Sequence, residues 1–277
     1  MKRILVPTDF SANADKAFNY ALGIAKSASA EILVLHVCSL PIPAYADEPE
    51  DLKLYNRKQV ARLRERLEIY RNIAARDQIA ISTLLVDGEV LDSIVSKSQQ
   101  YNVDLIVMAT SGAGSLKTFL FGTRTAAVIA ASKIPIISVP ATFTGGSPRK
   151  ILIAMQERES VPLLAPVFQL GKLFDATVKS VIFSDNTDPV AVYLEHSREI
   201  ERAAELMRTS YKIAHLAPEH IVGTGFTDTI TDYIEGHNVD LLVMVTHAQG
   251  NVPHLLSFSN TREMALRSGI PLLSIHA

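Results

Sequence analysis

The sequence predicts an α/β fold made of two similar domains, each a Rossmann-like unit with a five-stranded parallel sheet flanked by helices. Three observations support this prediction. Short apolar runs alternate with segments of helical periodicity, which is typical of parallel βαβ units. Residues 144–149 break the alternation with glycine and proline. Residues 102–141 then align with residues 238–277 without a gap, with 15 identities in 40 positions, which indicates an internal duplication.

Nearly continuous apolar runs predict the strands of the first half, because such runs are typical of strands covered on both faces. These runs are Ile4–Pro7, Ile32–Val37, Ile79–Val86, Leu105–Met108 and Ile136–Pro140. Apolar residues at helical spacing predict the helices between them. These helices are Ser11–Ala28, Asp51–Arg76, Val90–Gln100 and Thr123–Ser132. Ser11 is the predicted N-cap of the first helix.

The second predicted helix, Asp51–Arg76, has an apolar stripe that should face the sheet. The stripe consists of Leu52, Leu54, Val60, Leu63, Leu67, Tyr70, Ile73 and Ala74. After residue 149 the pattern starts again, with a strand at Lys150–Ala154. We therefore predict a first domain over residues 1–143, a linker over 144–149 and a second domain over 150–277.

Composition argues against several classes of function. The 277 residues carry a formal net charge of -2, so there is no global attraction to nucleic acid or to an anionic membrane. The only cysteine is Cys38, which excludes an intramolecular disulfide and fits a reducing compartment. The first residues do not resemble a signal peptide, and no apolar run is long enough for a spanning helix. We expect a cytoplasmic protein.

The candidate site lies at the carboxyl ends of the predicted strands, where open parallel sheets bind their ligands. Pro7, Thr8 and Asp9 follow the first strand, and Gly112 follows the fourth. Gly122 and Thr123 then open a helix, whose N–H groups and dipole favour a phosphate. Asp9 is either an acceptor for ribose hydroxyls or a cap of the first helix, a role for which Ser11 competes. These residues predict a nucleotide or another phosphorylated ligand.

Motifs of common catalytic sites are absent from the sequence. There is no GxxxxGK[ST] loop, no GxSxG elbow and no third glycine of a dinucleotide fingerprint. We find no nucleophile–base pair and no set of metal ligands, and we interpret His36 as a core histidine. Cys38 is interpreted as a small apolar residue near the cleft, with oxidation sensing as the alternative. We therefore expect no dedicated catalytic function.

The opening segment Ile4–Ser11 and the segment from Asp104 to Pro140 resemble the universal stress protein family, as a tandem pair of domains. That family has an adenine nucleotide alpha hydrolase-like fold. Its ATP-binding members carry a motif of three glycines. Two residues separate the first glycine from the second, nine residues separate the second from the third, and serine or threonine follows the third. Here the pattern reads Ala109, two residues, Gly112, nine residues, Gly122 and Thr123. Alanine therefore stands where the first glycine is expected.

The resemblance implies roles for the candidate residues. Pro7, Thr8 and Asp9 would contact adenosine, while Val37 and Met108 would line the adenine slot. Gly112, Gly122, Thr123 and Arg124 would surround the phosphates, and the methyl group of Ala109 would lie close to the ribose. The implied ligand is ATP, or AMP or ADP, with Mg²⁺ as the ion that would bridge the phosphates. Slow ATP hydrolysis is the most activity that the resemblance implies. It leaves open which proteins are partners and whether the chain forms a homo-oligomer.

The second copy departs from this pattern. Gln156, Val245 and Ala248 align with Asp9, Ala109 and Gly112, and Phe258–Ser259 aligns with Gly122–Thr123. We expect no ATP binding there by the same contacts. The resemblance also implies that the last strands, Ile136–Val139 and Leu272–Ile275, pair the two domains.

The predicted function is a stress-response protein with a nucleotide-dependent switch in its first domain. The alternatives are a nucleotide-free scaffold with both clefts occluded and an adenylate-forming or nucleotidyl-transfer enzyme, for which we find no catalytic residues.

Overall fold

The structure is a computed structural model that describes residues 1–41, 50–110, 123–155, 159–213, 216, 218–246 and 255–277. In helices, the side chains of Thr123, residues 255–259 and Leu266 lie outside this description. None of the described helices is long and apolar enough to cross a membrane. Strands and helices alternate along the described chain, as the sequence predicts.

The first half of the chain contains these elements: β1 (Arg3–Pro7), α1 (Ala12–Ala28), β2 (Glu31–Cys38), α2 (Glu50–Arg76), β3 (Ile81–Asp87), α3 (Val90–Gln100), β4 (Leu105–Ala109), α4 (Thr123–Ala131) and β5 (Ile136–Val139). The second half contains these elements: β6 (Lys150–Met155), a 3-10 turn (Val161–Leu164), α5 (Ala165–Phe174), β7 (Thr177–Asp185), α6 (Val190–Tyr211), β8 (Pro218–Gly223), α7 (Phe226–His237), β9 (Leu241–Thr246), α8 (Leu255–Arg267) and β10 (Leu272–His276). The predicted elements of the first half are confirmed, with ends that differ by at most two residues.

The described strands form one ten-stranded sheet in the order β3-β2-β1-β4-β5-β10-β9-β6-β7-β8. All neighbours within each half are parallel. β1 lies between β2 and β4, so the strand order reverses between β1 and β4. This reversal creates a crevice at the carboxyl ends of the strands.

The two halves join through β5 and β10. These strands are antiparallel, and Ile137 lies opposite Leu273. The predicted pairing of the last strands is therefore confirmed. The sheet is therefore continuous. Each of the two strands covers the edge strand of the other half, whose backbone groups would otherwise be unpaired.

Alternation along the strands divides the core into two layers. Ile4 and Val6 of β1 face the layer that contains α1, α2, α5 and α6, whereas Leu5 faces the layer that contains α3, α4 and α7. All three side chains are fully buried. Burying each aliphatic side chain of this size contributes about 1.5–3 kcal/mol, so both layers stabilise the sheet that positions the crevice.

Two predictions of burial need correction. Only Leu67, Tyr70 and Ala74 of the predicted α2 stripe are buried, and Leu54 is 50% exposed. A helix of 27 residues is about 40 Å long, whereas the neighbouring β3 has only seven residues, so the first turns of α2 extend past the sheet. The end of β2 is also only half-buried from His36 onward, because it borders the crevice.

Candidate functional site

A cleft of about 120 Å³ opens at the carboxyl ends of β1, β2 and β4. It therefore lies beside the point where the strand order reverses, which is the expected position of a ligand site in this type of sheet. The cleft is lined by Pro7, Thr8, Asp9, Ala14, Leu35, Val37, Val90, Ile94, Met108, Ala109, Arg124 and Thr125.

The structure brings together most of the residues that the sequence singled out. Those that line the cleft are Pro7, Thr8, Asp9, Val37, Met108, Ala109 and Arg124. Gly112 and Gly122 lie outside the described residues. Thr123 begins α4, although its side chain also lies outside the description.

The loop after β1 gives Asp9 and Ser11 different roles. Ser11 is the N-cap of α1, and its Oγ accepts a hydrogen bond from the Ala14 N–H at 3.2 Å. Asp9 precedes the helix, and its Oδ1 accepts from the Ser11 N–H at 3.0 Å. The predicted cap at Ser11 is confirmed. Asp9 therefore presents an exposed carboxylate at the cleft wall, held by a bond to the backbone of its own loop.

Thr8 lines the cleft, and its hydrogen bonds connect the loop after β1 to two other elements. Its Oγ1 lies 2.8 Å from the Tyr70 hydroxyl, on α2, behind the loop. Its N–H donates to the Leu35 carbonyl at 2.8 Å, and its carbonyl accepts from His36 Nδ1 at 2.7 Å. Thr8 thus fixes the loop to β2 and α2. A carbonyl oxygen only accepts, so Nδ1 of His36 carries a proton.

Burial dominates the environment of His36. The pKa of its imidazole is lowered, first by desolvation and also by the nearby Arg66 cation, while the bond to Thr8 and the Asp9 carboxylate act in the opposite direction. The interpretation of His36 as a hydrogen-bonded core histidine fits this arrangement, although the ring is only half-buried.

The apolar part of the cleft is larger than the sequence prediction. Val37 and Met108 were predicted, whereas Leu35, Val90 and Ile94 were missed. Two periodicities could have identified them. Leu35 precedes Val37 by two residues on the same face of β2, and Val90 and Ile94 are four residues apart on α3. The three strands and α3 together form a narrow apolar slot.

The start of α4 forms the other wall. Ala109 is the last residue of β4 and pairs with Val139, so its backbone is extended and its methyl group introduces no backbone strain. Thr125, in the first turn of α4, donates from Oγ1 to the Ala109 carbonyl at 2.9 Å. Thr125 was missed, although the internal repeat pairs it with an identical residue, Thr261. Arg124 is exposed beside it and adds a cation at the helix start.

The described residues contain no group of three or more His, Cys, Asp or Glu side chains that could hold a metal ion. Cys38 is half-buried, and its Sγ lies 3.6 Å from the Val86 carbonyl. Desolvation, followed by the Asp87 carboxylate, raises the pKa of this thiol. A raised thiol pKa disfavours the reactive thiolate, so the arrangement does not suit Cys38 as a nucleophile.

The corresponding place in the second half is only partly described. Val245, which aligns with Ala109, is buried in β9 opposite Ile275 of β10. Gln156 and Ala248 lie outside the described residues, as do the side chains of Phe258 and Ser259.

Chemically, the cleft of the first half combines three features. It has an apolar slot, an acceptor carboxylate at Asp9, and a helix start with a cation at Arg124. Such a site suits a ligand with a flat apolar ring, hydroxyl groups and an anionic end.

Comparisons with known proteins agree with this fold. The Universal stress protein family matches residues 1–140, which is half of the 277 residues. A universal stress protein of Methanocaldococcus jannaschii is 27% identical over 138 residues, covering 50% of this chain and 81% of the relative. A universal stress protein of Thermus aquaticus is 27% identical over 140 residues, covering 50% of this chain and 98% of the relative.

Solved structures extend the likeness to the second half. The crystal structure of a universal stress protein from Archaeoglobus fulgidus has a TM-score of 0.73 at 18% identity, covering 99% of this chain and 98% of that one. A universal stress protein structure from Pseudomonas aeruginosa, described as putative, has a TM-score of 0.64 at 15% identity, covering 100% and 93%. The fold is thus shared along the whole chain, and the match over residues 1–140 shows that the chain belongs to the universal stress protein family.

Proposed function

We propose that the first half of this universal stress protein binds an adenine nucleotide, ATP or its products ADP and AMP, in the cleft between β1, β2 and β4. The observation that carries the proposal is the convergence of Asp9, the apolar slot and Arg124 on one cleft at the strand-order reversal. These groups come from separate elements and match three chemically different parts of one ligand.

The chemistry of the walls assigns an orientation. Adenine would occupy the slot formed by residues such as Val37 and Met108, because its flat ring gains from leaving water. Asp9 would accept hydrogen bonds from the ribose hydroxyls. Arg124 and the N–H groups at the start of α4 would face the phosphates. Mg²⁺ would come with the nucleotide, since the described residues supply no cluster for it.

The second half of the chain has a different role in this proposal. We propose that residues 1–143 and 150–277 form two units joined by residues 144–149. Only the first unit would bind a nucleotide. Val245, Ala248 and Phe258 replace smaller residues of the first unit, and we expect these larger residues to leave less space for a phosphate. The expected stoichiometry is one nucleotide per chain, and a titration that gives two would overturn this part of the proposal.

The output would be a conformational or partner-binding change in the cytoplasm, with at most slow hydrolysis. The described residues that line the cleft include no nucleophile–base pair. If no nucleotide binds, a scaffold function becomes the explanation of the fold. Multiple turnover of ATP with an acceptor substrate would instead favour an enzyme.

Calorimetric titration of ATP with Mg²⁺ tests the site directly. We expect micromolar binding to the wild type, about -8 kcal/mol. Arg124→Ala should weaken ATP binding by about tenfold, since a charge-assisted contact is worth roughly 1.4 kcal/mol or more. Lys133→Ala is the matched control, because Lys133 is an exposed cation beyond the opposite end of α4 and should leave the affinity unchanged.

Two results would contradict the proposal. Absence of binding heat, together with an unchanged melting temperature at millimolar ATP, would exclude a nucleotide site. Equal loss of affinity in Arg124→Ala and Lys133→Ala would indicate a general charge effect instead of a contact in the cleft.

A further inference from the structure

Phe10, in the loop between β1 and α1, has an unusual backbone conformation. Its φ is 60°, in the left-handed region that bulky residues rarely occupy. Such a conformation persists only where surrounding contacts enforce it. Phe10 directly follows Asp9, so the contacts that hold Phe10 also determine where the Asp9 carboxylate lies.

Side chains from two other elements, β2 and α2, hold the Phe10 ring. The His36 ring of β2 lies 4.3 Å from it, centroid to centroid. The guanidinium carbon of Arg66, on α2, lies 4.1 Å from the Phe10 centroid, within the range of a cation–π contact. Arg66 also donates from a terminal nitrogen to the Phe10 carbonyl at 3.3 Å. Arg66 therefore contacts both the ring and the backbone of Phe10.

A second connection joins the same loop to α2 through a chain of hydrogen bonds. The Tyr70 hydroxyl donates to the Asp15 carboxylate at 2.7 Å. It is therefore available to accept from the Thr8 hydroxyl, 2.8 Å away. The Thr8 Oγ1 in turn accepts from the Phe10 N–H at 2.9 Å. Each hydroxyl in this chain donates one bond and accepts another, so all three bonds can form together. Thr8 and Phe10, which flank Asp9, are thereby connected to α2.

We propose that Arg66 is a positioning residue for the nucleotide site. It holds Phe10 in its left-handed conformation and thereby places the Asp9 carboxylate at the ribose position. This inference rests on the proposed function of the cleft. Arg66 lies behind the loop and is not among the described residues that line the cleft, so it acts through Phe10 and Asp9.

The test compares adenosine with ATP as probes, because positioning and direct phosphate contact affect them differently. Arg66→Ala should weaken the binding of both ligands by the same factor, about fivefold for the loss of a cation–π contact of typical strength. Arg62→Ala, an exposed arginine one turn earlier on α2, is the matched control and should leave both affinities unchanged. A loss confined to ATP would mean that Arg66 contacts phosphate, and would overturn the proposal.

A second variant separates positioning from general destabilisation. In an Asp9→Ala background, the carboxylate that Arg66 positions is absent, so adding Arg66→Ala should not weaken adenosine binding further. The same fivefold loss in both backgrounds would show that the two residues act independently, which would overturn the proposal.

Hydrogen exchange in the ligand-free protein measures the loop itself. Arg66→Ala should speed exchange of the Phe10 and Ser11 amides, and Arg62→Ala should not. If the wild type binds neither ligand, the proposed function fails and the positioning role fails with it, while the exchange rates still report whether Arg66 orders the loop. If the wild type binds both and Arg66→Ala binds equally well, only the positioning role fails.

Discussion

Ser138 of β5 lies opposite Leu272 of β10, and the Ser138 Oγ donates to the Leu272 carbonyl at 3.4 Å. Ile137, the preceding residue, lies opposite Leu273, which is the residue that aligns with Ile137 in the internal repeat. The strands therefore meet around a local two-fold axis. The hydrogen bonds are less symmetric, because the buried Oγ of Ser274, the counterpart of Ser138, has no partner among the described residues.

Leu273→Ala should destabilise the chain by about 2–5 kcal/mol, because it leaves a cavity at a fully buried position on this axis. Urea unfolding checks the change. Leu54→Ala removes the same atoms from a side chain that is 50% exposed, and should change the free energy of unfolding by about 0.5 kcal/mol or less. Similar effects of both substitutions would argue against a tightly packed junction.

Thr125→Val should lower both stability and ATP affinity. It preserves shape but removes the hydroxyl that donates to the Ala109 carbonyl, at a cost of about 0.5–1.5 kcal/mol in unfolding free energy. Thr125→Ser keeps the donor and should retain more of the affinity. Thermal melting and calorimetry with ATP measure the two effects. Full ATP affinity in Thr125→Val would show that this bond does not position the start of α4 for phosphate.

Ser11→Ala should lower the free energy of unfolding by about 1 kcal/mol, since it removes the side chain that accepts from the Ala14 N–H at the start of α1. Ser11→Asp keeps an acceptor at the N-cap and should be close to wild type. Urea denaturation distinguishes the two variants. If both lose the same stability, the cap contributes little and another contact of Ser11 is responsible.

His220 should make stability dependent on pH. Its Nε2 lies 2.8 Å from the Ser184 Oγ, which also lies 2.8 Å from His196 Nδ1, and its Nδ1 lies 2.6 Å from the Ser197 Oγ. Desolvation, followed by His196, lowers the pKa of His220 in the folded chain. As pH falls below the unfolded pKa of about 6.5, the unfolded chain therefore binds more protons, and stability falls.

Melting temperatures between pH 7.5 and 5.5 check this dependence. The wild type should lose stability toward the acid end, and His220→Gln should show a shallower slope. His36, whose pKa is also lowered, should supply part of the remaining slope. An unchanged slope in His220→Gln would contradict the assignment to His220.

Local patterns were sufficient to predict much of this molecule. Strand runs, helical spacing and the N-cap at Ser11 depend on neighbouring residues, and the internal repeat carried the analysis into the second half. The crevice follows from parallel strand order, which predicts that Asp9 and Val37 lie together, and the family resemblance added Met108 to the same cleft. Their roles as nucleotide contacts remain predictions.

Other features depend on contacts between distant parts of the chain. The sequence does not show that the Thr8 hydroxyl turns toward Tyr70, 62 positions away. It does not show that Phe10 takes a left-handed conformation beneath Arg66. The exposure of Leu54 depends on how far α2 extends past the sheet, which the apolar periodicity of the helix does not encode.

The β5–β10 junction also changes how the two halves find each other. Relatives such as the Thermus aquaticus protein correspond to one half of this chain, and two such chains would have to meet by diffusion. Here a short covalent connection between β5 and β6 replaces that encounter with an intramolecular one. Dilution therefore cannot separate the halves, and the two units can diverge in sequence while their pairing stays fixed.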